Sequence, residues 1–406
     1  MNKIIKNLLL ENSIDKKYFK INTYSRDKKK ISKIIQNIYS SLDQKKDTFH
    51  ILSEKFNLNF DKSICKIFLK YKSVVVIGMG GSVLGAQAIY SFLKKKINKK
   101  FIFLDNLDQL RIEKLIKNKI LKKSLFIIIS KSGNTIETLV NTNLLKNKIN
   151  SKNSIIVTEE KKNILNTFAK SKKLLHITHK NYVGGRYSVL SEVGMIPAYF
   201  MGLKINGFRK NLLSFFKSKK NLILIESVVK LAHIYKLKKI KSIVLLNYAP
   251  ELNEFLYWCQ QLMAESLGKN GNGIFPVVSP VPRDHHSLLQ LYLDGPKDKL
   301  FYIFSVNLEK KMKTNNNVFG KLFRFAENKE LSKVIHAQKK ALVRVLEKNK
   351  IPFREFKINK VNEEILGELF SYFILETSLI GKLIGIDPFN QPAVEQVKIL
   401  TKKYLN

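Results

Sequence analysis

Val74-Val75-Val76-Ile77, running directly into Gly78-Met79-Gly80-Gly81-Ser82, is the stretch that decides the fold. Four consecutive β-branched residues leave no polar face, so a strand built from them is covered on both sides. Such strands belong to parallel sheets sandwiched between helices. Downstream, Phe101 to Leu104, Leu125 to Ile129 and Ser154 to Val157 repeat the same short apolar run, with helical patterns between them. The pattern then restarts at Ser242 to Leu246, Phe275 to Val278, Leu300 to Phe304 and Phe353 to Phe356. Two α/β units are therefore expected, each with a parallel sheet and joined through a helical stretch near residues 195–225. Upstream, residues 1–70 contain neither Pro nor Gly and read as basic amphipathic helices. A long helix is expected from Glu363 to Ile384, and the turn Asp387-Pro388-Phe389-Asn390-Gln391-Pro392 then reorients the chain into a last helix. Lys311 to Asn317 reads as an exposed loop. The expected divisions are 1–205, 206–385 and a C-terminal helix over 386–406.

Length and composition agree with a globular chain. At 406 residues with 45% hydrophobic content it can build more than one core. The two cysteines, Cys65 and Cys259, are too few for a disulfide framework or a cysteine zinc site and fit a reducing compartment. No run approaches the roughly 18 apolar residues that span a bilayer, and no signal-like segment opens the chain, so a cytoplasmic protein with no membrane partner is expected. The formal net charge of +41 raises nucleic-acid binding as an alternative. Yet only eight of the 73 basic residues are arginine, and the lysines are scattered through a chain rich in Ile and Asn. That distribution reads as drift in an AT-rich genome rather than as a face built for a specific nucleic acid.

Several segments could carry chemistry. Gly78 to Ser82 lets backbone approach a ligand closely, but Val83 occupies the position of the last glycine in a dinucleotide-binding G-x-G-x-x-G. Ser130-Lys131-Ser132-Gly133-Asn134-Thr135 crowds three hydroxyls into the point where a helix should begin. A cap needs one hydroxyl, so three with free N–H groups suit a phosphate monoester. Gly184-Gly185-Arg186 is either a bend with a surface charge or a guanidinium beside a developing oxyanion. Glu265 is a lone helical carboxylate. Arg283-Asp284-His285-His286 could pair a histidine with Asp284 for acid–base work, whereas metal binding lacks further ligands at suitable spacing. Gln391 and Lys398 belong to the terminal segment, for which ordinary helix surface is the plain reading.

In order and wording these segments resemble the phosphoglucose isomerase family, from about residue 70 to the C-terminus. The carriers are "SKSGNTIET" from Ser130, "GGRYSVLSEVG" from Gly184, "LMAESLGKNG" from Leu262 and "GIDPFNQPAVEQVK" from Gly385. The resemblance implies two sugar-isomerase-type domains, each a three-layer α/β/α unit on a five-stranded parallel sheet. It also implies a homodimer with active sites completed across the interface, no metal and no organic cofactor. The implied activity is interconversion of glucose 6-phosphate and fructose 6-phosphate, a step of glycolysis and gluconeogenesis. Position by position, it implies phosphate contacts from Ser130, Lys131 (mainly its backbone), Ser132 and Thr135, with Gly81 and Ser82 nearby. It implies Glu265 as the base, Arg186 with the Gly185 backbone as the enediolate stabiliser, and Gln391 as a sugar contact. His286 and Lys398 are implied to open the ring, with His286 from the neighbouring subunit. The position before that histidine is often glutamine in bacterial relatives and is His285 here. Another sugar-phosphate isomerase or a sugar-phosphate sensor on the same fold are the neighbouring readings.

Overall fold

The ten strands are β1 Leu8–Ser13, β2 Ser73–Ile77, β3 Lys100–Leu104, β4 Ser124–Ile129, β5 Ser154–Thr158, β6 Leu175–Thr178, β7 Ser242–Asn247, β8 Phe275–Pro280, β9 Lys299–Val306 and β10 Phe353–Ile358. They come from a computed structural model that describes residues 8–19, 21–307, 312–314 and 318–405. Most of the loop expected over 311–317 lies outside the described residues, as does the start of the expected N-terminal helices. The first sheet has the order β3-β2-β4-β5-β6, all parallel; the second has the order β1-β10-β9-β7-β8. Every residue of β2, β4 and β5 is buried, as uniformly apolar runs require.

Two edge strands depart from the sequence expectation. Residues 8–13 were expected to be helical, yet β1 runs antiparallel to β10 and completes the second sheet, which is otherwise parallel. Burial alternates once the strand is paired: Leu8 and Leu10 are buried while Leu9 and Glu11 are partly exposed. Glu11 faces Glu355 across the pair, and Lys357 bridges both carboxylates at 3.1 and 3.0 Å. The other, β6, is the short Leu-His-Ile-Thr segment whose polar residues hide it from a search for apolar runs. The expected N-terminal helix is present over Ile21–Ser41, whereas residues 42–70 are mostly turn and carry only the short helical pieces Thr48–Leu52 and Lys62–Lys66.

The second unit is locked by a buried charge. Arg354 on β10 is fully buried and donates to both oxygens of Glu376 at 2.7 and 3.0 Å, to Tyr372 at 2.6 Å, and to Asn12 of β1 at 2.7 Å. One guanidinium thus joins β1, β10 and the helix Glu363–Ile384. Glu376→Gln strands that cation without its counter-charge and should cost about 3–5 kcal/mol in urea unfolding. A loss below about 1 kcal/mol would contradict this role for the pair.

The same helix ends where a glycine permits it. Gly385 adopts φ 80°, and the N–H of Ile386 returns to Gly381 O at 2.8 Å. Asp387-Pro388 cannot continue the helix, so the chain turns back toward the first unit. One hydrophobic core is continuous between the units, including Val76 and Ile127 of the first sheet and Leu245 and Phe304 of the second.

Candidate active site

In the first sheet β2 is the pivot: the chain leaves it for β3 on one side and returns to β4 on the other. The crevice at the carboxyl ends of such a pair is where open α/β sheets take ligands. The loops after β2 and β4 flank it, and a Cβ on Gly78 would sit 3.0 Å from Ile129 O. On the β4 side, Ser130 is buried and its Oγ lies 3.0 Å from Thr135 Oγ1 while accepting from Gly133 N at 3.2 Å. Ser132 Oγ accepts from Asn134 N at 3.3 Å. Thr135 precedes the helix Ile136–Leu144 without capping it through its side chain, so the plain capping reading of this hydroxyl does not apply. The hydroxyls and the helix's free N–H groups form a cradle suited to an anion. Gly133 at φ +67° is needed there, because a Cβ would fall 1.9 Å from Asn163 Oδ1. The Lys131 ammonium points elsewhere, donating to Asn181 O at 2.8 Å and lying 3.7 Å from Glu159. Burial lowers its pKa, partly opposed by Glu159.

On the β2 side the loop touches the diglycine segment. A Cβ on Gly81 would lie 2.3 Å from Gly185 C and O and 2.6 Å from Arg186 N, a clash with backbone that cannot swing away. Glycine at 81 therefore sets how closely Arg186 approaches the crevice.

Arg186 is the hub. It is 2% exposed, and every guanidinium nitrogen donates. Nε bonds Ser266 Oγ at 2.8 Å; Nη1 bonds Gln391 Oε1 at 2.5 Å and Glu265 Oε2 at 3.3 Å. Nη2 bonds the carbonyls of Pro388 at 2.5 Å and Asn390 at 3.1 Å. Tyr187 reinforces the same set, its hydroxyl reaching Ser266 Oγ at 2.7 Å and Pro388 O at 2.9 Å. A planar cation gripped from several sides cannot reorient, so its charge is fixed before any substrate charge develops. The bland reading of the diglycine as a bend with a surface charge fails on burial alone.

Glu265 sits near the end of the helix Asn253–Leu267, half-buried beside this cation. Its second oxygen, Oε1, accepts from Gln261 Nε2 at 2.8 Å. Gln261 was not singled out from sequence; its place one turn before Glu265 was the available signal. It also packs on the β2 loop, where a Cβ on Gly80 would lie 2.7 Å from its Nε2. Both carboxylate oxygens are thus aimed by neighbours.

The remaining expected residues are not gathered here. His286 is exposed on the short turn Arg283–His286 after β8. His285 is half-buried with Nε2 3.0 Å from Tyr248 Oη, and burial, then the neighbouring His286, lower its pKa. The Asp284 carboxylate bonds Ser279 Oγ at 2.9 Å and Arg283 Nε at 3.1 Å, not a histidine. Lys398 is exposed on the helix Val394–Leu405 and pairs with Glu395 at 2.6 Å. Among the described residues no group of three or more His, Cys, Asp or Glu could hold a metal ion, and no helix is long and apolar enough to cross a membrane.

Residues 15–274 match the family model described as phosphoglucose isomerase. The chain is 35% identical over 381 residues to the glucose-6-phosphate isomerase of Methanocaldococcus jannaschii, covering 89% of this chain and 91% of that protein. It is 31% identical to the glucose-6-phosphate isomerase of Campylobacter jejuni subsp. jejuni, covering 88% and 91% respectively. Its fold superposes on the crystal structure of a glucose-6-phosphate isomerase from Chlamydia trachomatis with a TM-score of 0.79 and 17% identity, over 100% of this chain and 89% of that one. The arrangement of cradle, guanidinium and carboxylate around one crevice thus sits in a chain that belongs to the phosphoglucose isomerase family.

Proposed function

We propose that the chain interconverts glucose 6-phosphate and fructose 6-phosphate through a cis-enediol(ate), in the cytoplasm, as a step of glycolysis and gluconeogenesis. The observation that carries this reading is the buried Arg186 guanidinium held 3.3 Å from the half-buried Glu265 carboxylate. Aldose–ketose isomerisation through an enediol needs a base beside a group that stabilises the developing oxyanion, and that pair supplies both. The proton on C2 is weakly acidic, and the negative charge that arises on oxygen as it leaves requires a fixed cation. Glu265 takes the C2 proton and returns it to C1, which one carboxylate can do because a cis-enediol presents both carbons on one face. Arg186 and the Gly185 backbone hold the enediolate oxygen. Ser130, Ser132, Thr135 and the Lys131 backbone hold the phosphate, with Gly81 and Ser82 beside it, and Gln391 contacts the sugar. Proton transfer of this kind calls for neither a metal nor an organic cofactor.

His286 and Lys398 open the ring in this proposal, and a second copy brings the sites to completion. Two features support a homodimer. His286 faces solvent in the single chain. The terminal helix buries none of its residues, and Val397, Leu400 and Tyr404, spaced along one face, are 67%, 47% and 81% exposed. We further divide the chain into 1–205, 206–385 and 386–406, with β1 reaching across to the second sheet. The lysine excess is taken as surface charge with no specific nucleic-acid partner and no membrane partner.

Fructose 6-phosphate formation by the purified protein tests the activity; binding of sugar phosphate without turnover would favour a sensor instead. Shared sites have their own test. Glu265→Gln and His286→Ala chains, each inactive alone, should recover activity when refolded together, because each mixed dimer holds one intact site. Absence of recovery in verified mixed dimers would place His286 in the same subunit's site or outside any site.

A further inference from the structure

Strands β7 to β10 of the second sheet repeat the order of β2 to β5 in the first. From β7 the chain moves to β8 on one side and returns to β9 on the other, so a second crevice opens at the carboxyl ends of β7 and β9. A cavity of about 910 Å³ occupies that position, within the range of small-molecule sites. Its walls are Tyr248 to Glu251 after β7, Ser305 to Asn307 at the end of β9, Met312, Asn359 after β10, and one side of the helix Leu331–Lys348. None of these residues belongs to the Arg186–Glu265 site. We propose that this cavity is a second ligand site, taking a small metabolite that carries at least two anionic groups.

Charge and spacing argue for that ligand class. Lys333 and Lys340 line the cavity from the helix, His336 between them has its pKa lowered by burial and then by Lys339, and Glu251 is the one acidic side chain among the described lining residues. The exposed Lys333 lies 4.0 Å from the partly buried Glu330, a loose pair that leaves the ammonium able to turn. Deeper in, Lys339 is buried, donating to Ser305 Oγ at 3.0 Å and paired with Glu355 at 3.4 Å, so its charge is already matched. Positions 333 and 340 are two helical turns apart, a rise of about 10 Å. Two flexible ammonium groups at that separation bracket a molecule with anionic groups near each end better than they hold one small ion. Asn307 Nδ2 donates to Asn359 Oδ1 at 2.6 Å and fixes the rim between β9 and β10. Apolar walls from Tyr248, Pro250, Val306 and Ile335 suit a carbon skeleton between the charged ends. The Tyr248 hydroxyl bonds His285, so a ligand against this ring lies one hydrogen bond from the turn that carries His286.

Calorimetric titration with hexane-1,6-diol bisphosphate, whose phosphates sit at the two ends of a carbon chain, in the presence of saturating fructose 6-phosphate to fill the first crevice, tests the proposal. One bisphosphate per chain should bind, and Lys333→Glu with Lys340→Glu should weaken it about tenfold or more. The matched pair Lys114→Glu with Lys117→Glu, exposed on a first-unit helix, should leave binding unchanged, with circular dichroism verifying that both variants fold. No binding to the native protein, or equal loss in the two double variants, overturns the proposal, the latter by reducing it to diffuse attraction toward a highly charged chain.

Discussion

Glu265→Gln is expected to lower kcat for glucose 6-phosphate by about 10³-fold while leaving KM within a few-fold, since general base catalysis typically contributes 10²–10⁴. Glutamine keeps the shape and can still accept from Arg186 Nη1 through its carbonyl, but it cannot take a proton from carbon. Its amide then faces Gln261, which donates to Oε1 in the native protein. Gln261 can answer by turning its own amide, because its Oε1 has no hydrogen-bond partner among the described residues. The fold should therefore survive with an unchanged urea midpoint, and the loss can be read as chemistry. A variant with near-native kcat would move the proton shuttle to another group.

Arg186→Lys should be nearly as costly to turnover, by a factor of about 10²–10³, for a different reason. The ammonium preserves the charge but not the fork. It cannot reach Ser266, Gln391, Glu265 and the carbonyls of Pro388 and Asn390 together, as the guanidinium does. The charge would no longer be fixed where the enediolate oxygen forms, and the turn after Gly385 would lose its anchor. Both kcat and the urea midpoint should fall, unlike in Glu265→Gln, where only kcat does. Retention of activity within a few-fold would mean that a generic positive charge suffices.

Core strands were legible in the sequence because burial on both faces forces unbroken apolar runs, and β2, β4 and β5 fall where Val, Ile and Phe cluster. The long helix was equally plain: its Asn362 cap accepts from Ile365 N at 3.0 Å, and Gly385 closes it at φ 80°. Edge strands were hidden because their burial is one-sided. In β6, His176 and Thr178 break the apolar run, and β1 is specified by its partner, not by its own residues, since Glu11 and Asn12 find Lys357 and Arg354 only after the sheet forms. At the site, residue types announced themselves through glycine-rich spacing and crowded hydroxyls. Gln261 was in reach through its place one turn before Glu265, whereas nothing in Pro388 or Asn390 says that their carbonyls grip Arg186. Those contacts join segments about 200 residues apart and exist only through the tertiary fold. His286 and Lys398 have a further obstacle, because one chain alone leaves both on its surface.

Deuterium uptake tests the proton-shuttle claim most directly. When native protein equilibrates glucose 6-phosphate in D2O, deuterium should enter the sugar at C2, because a carboxyl proton exchanges with solvent before it returns to carbon. Glu265→Gln, bound to the same sugar phosphate, should place essentially none there. Equal labelling by both proteins would contradict Glu265 as the group that moves the proton.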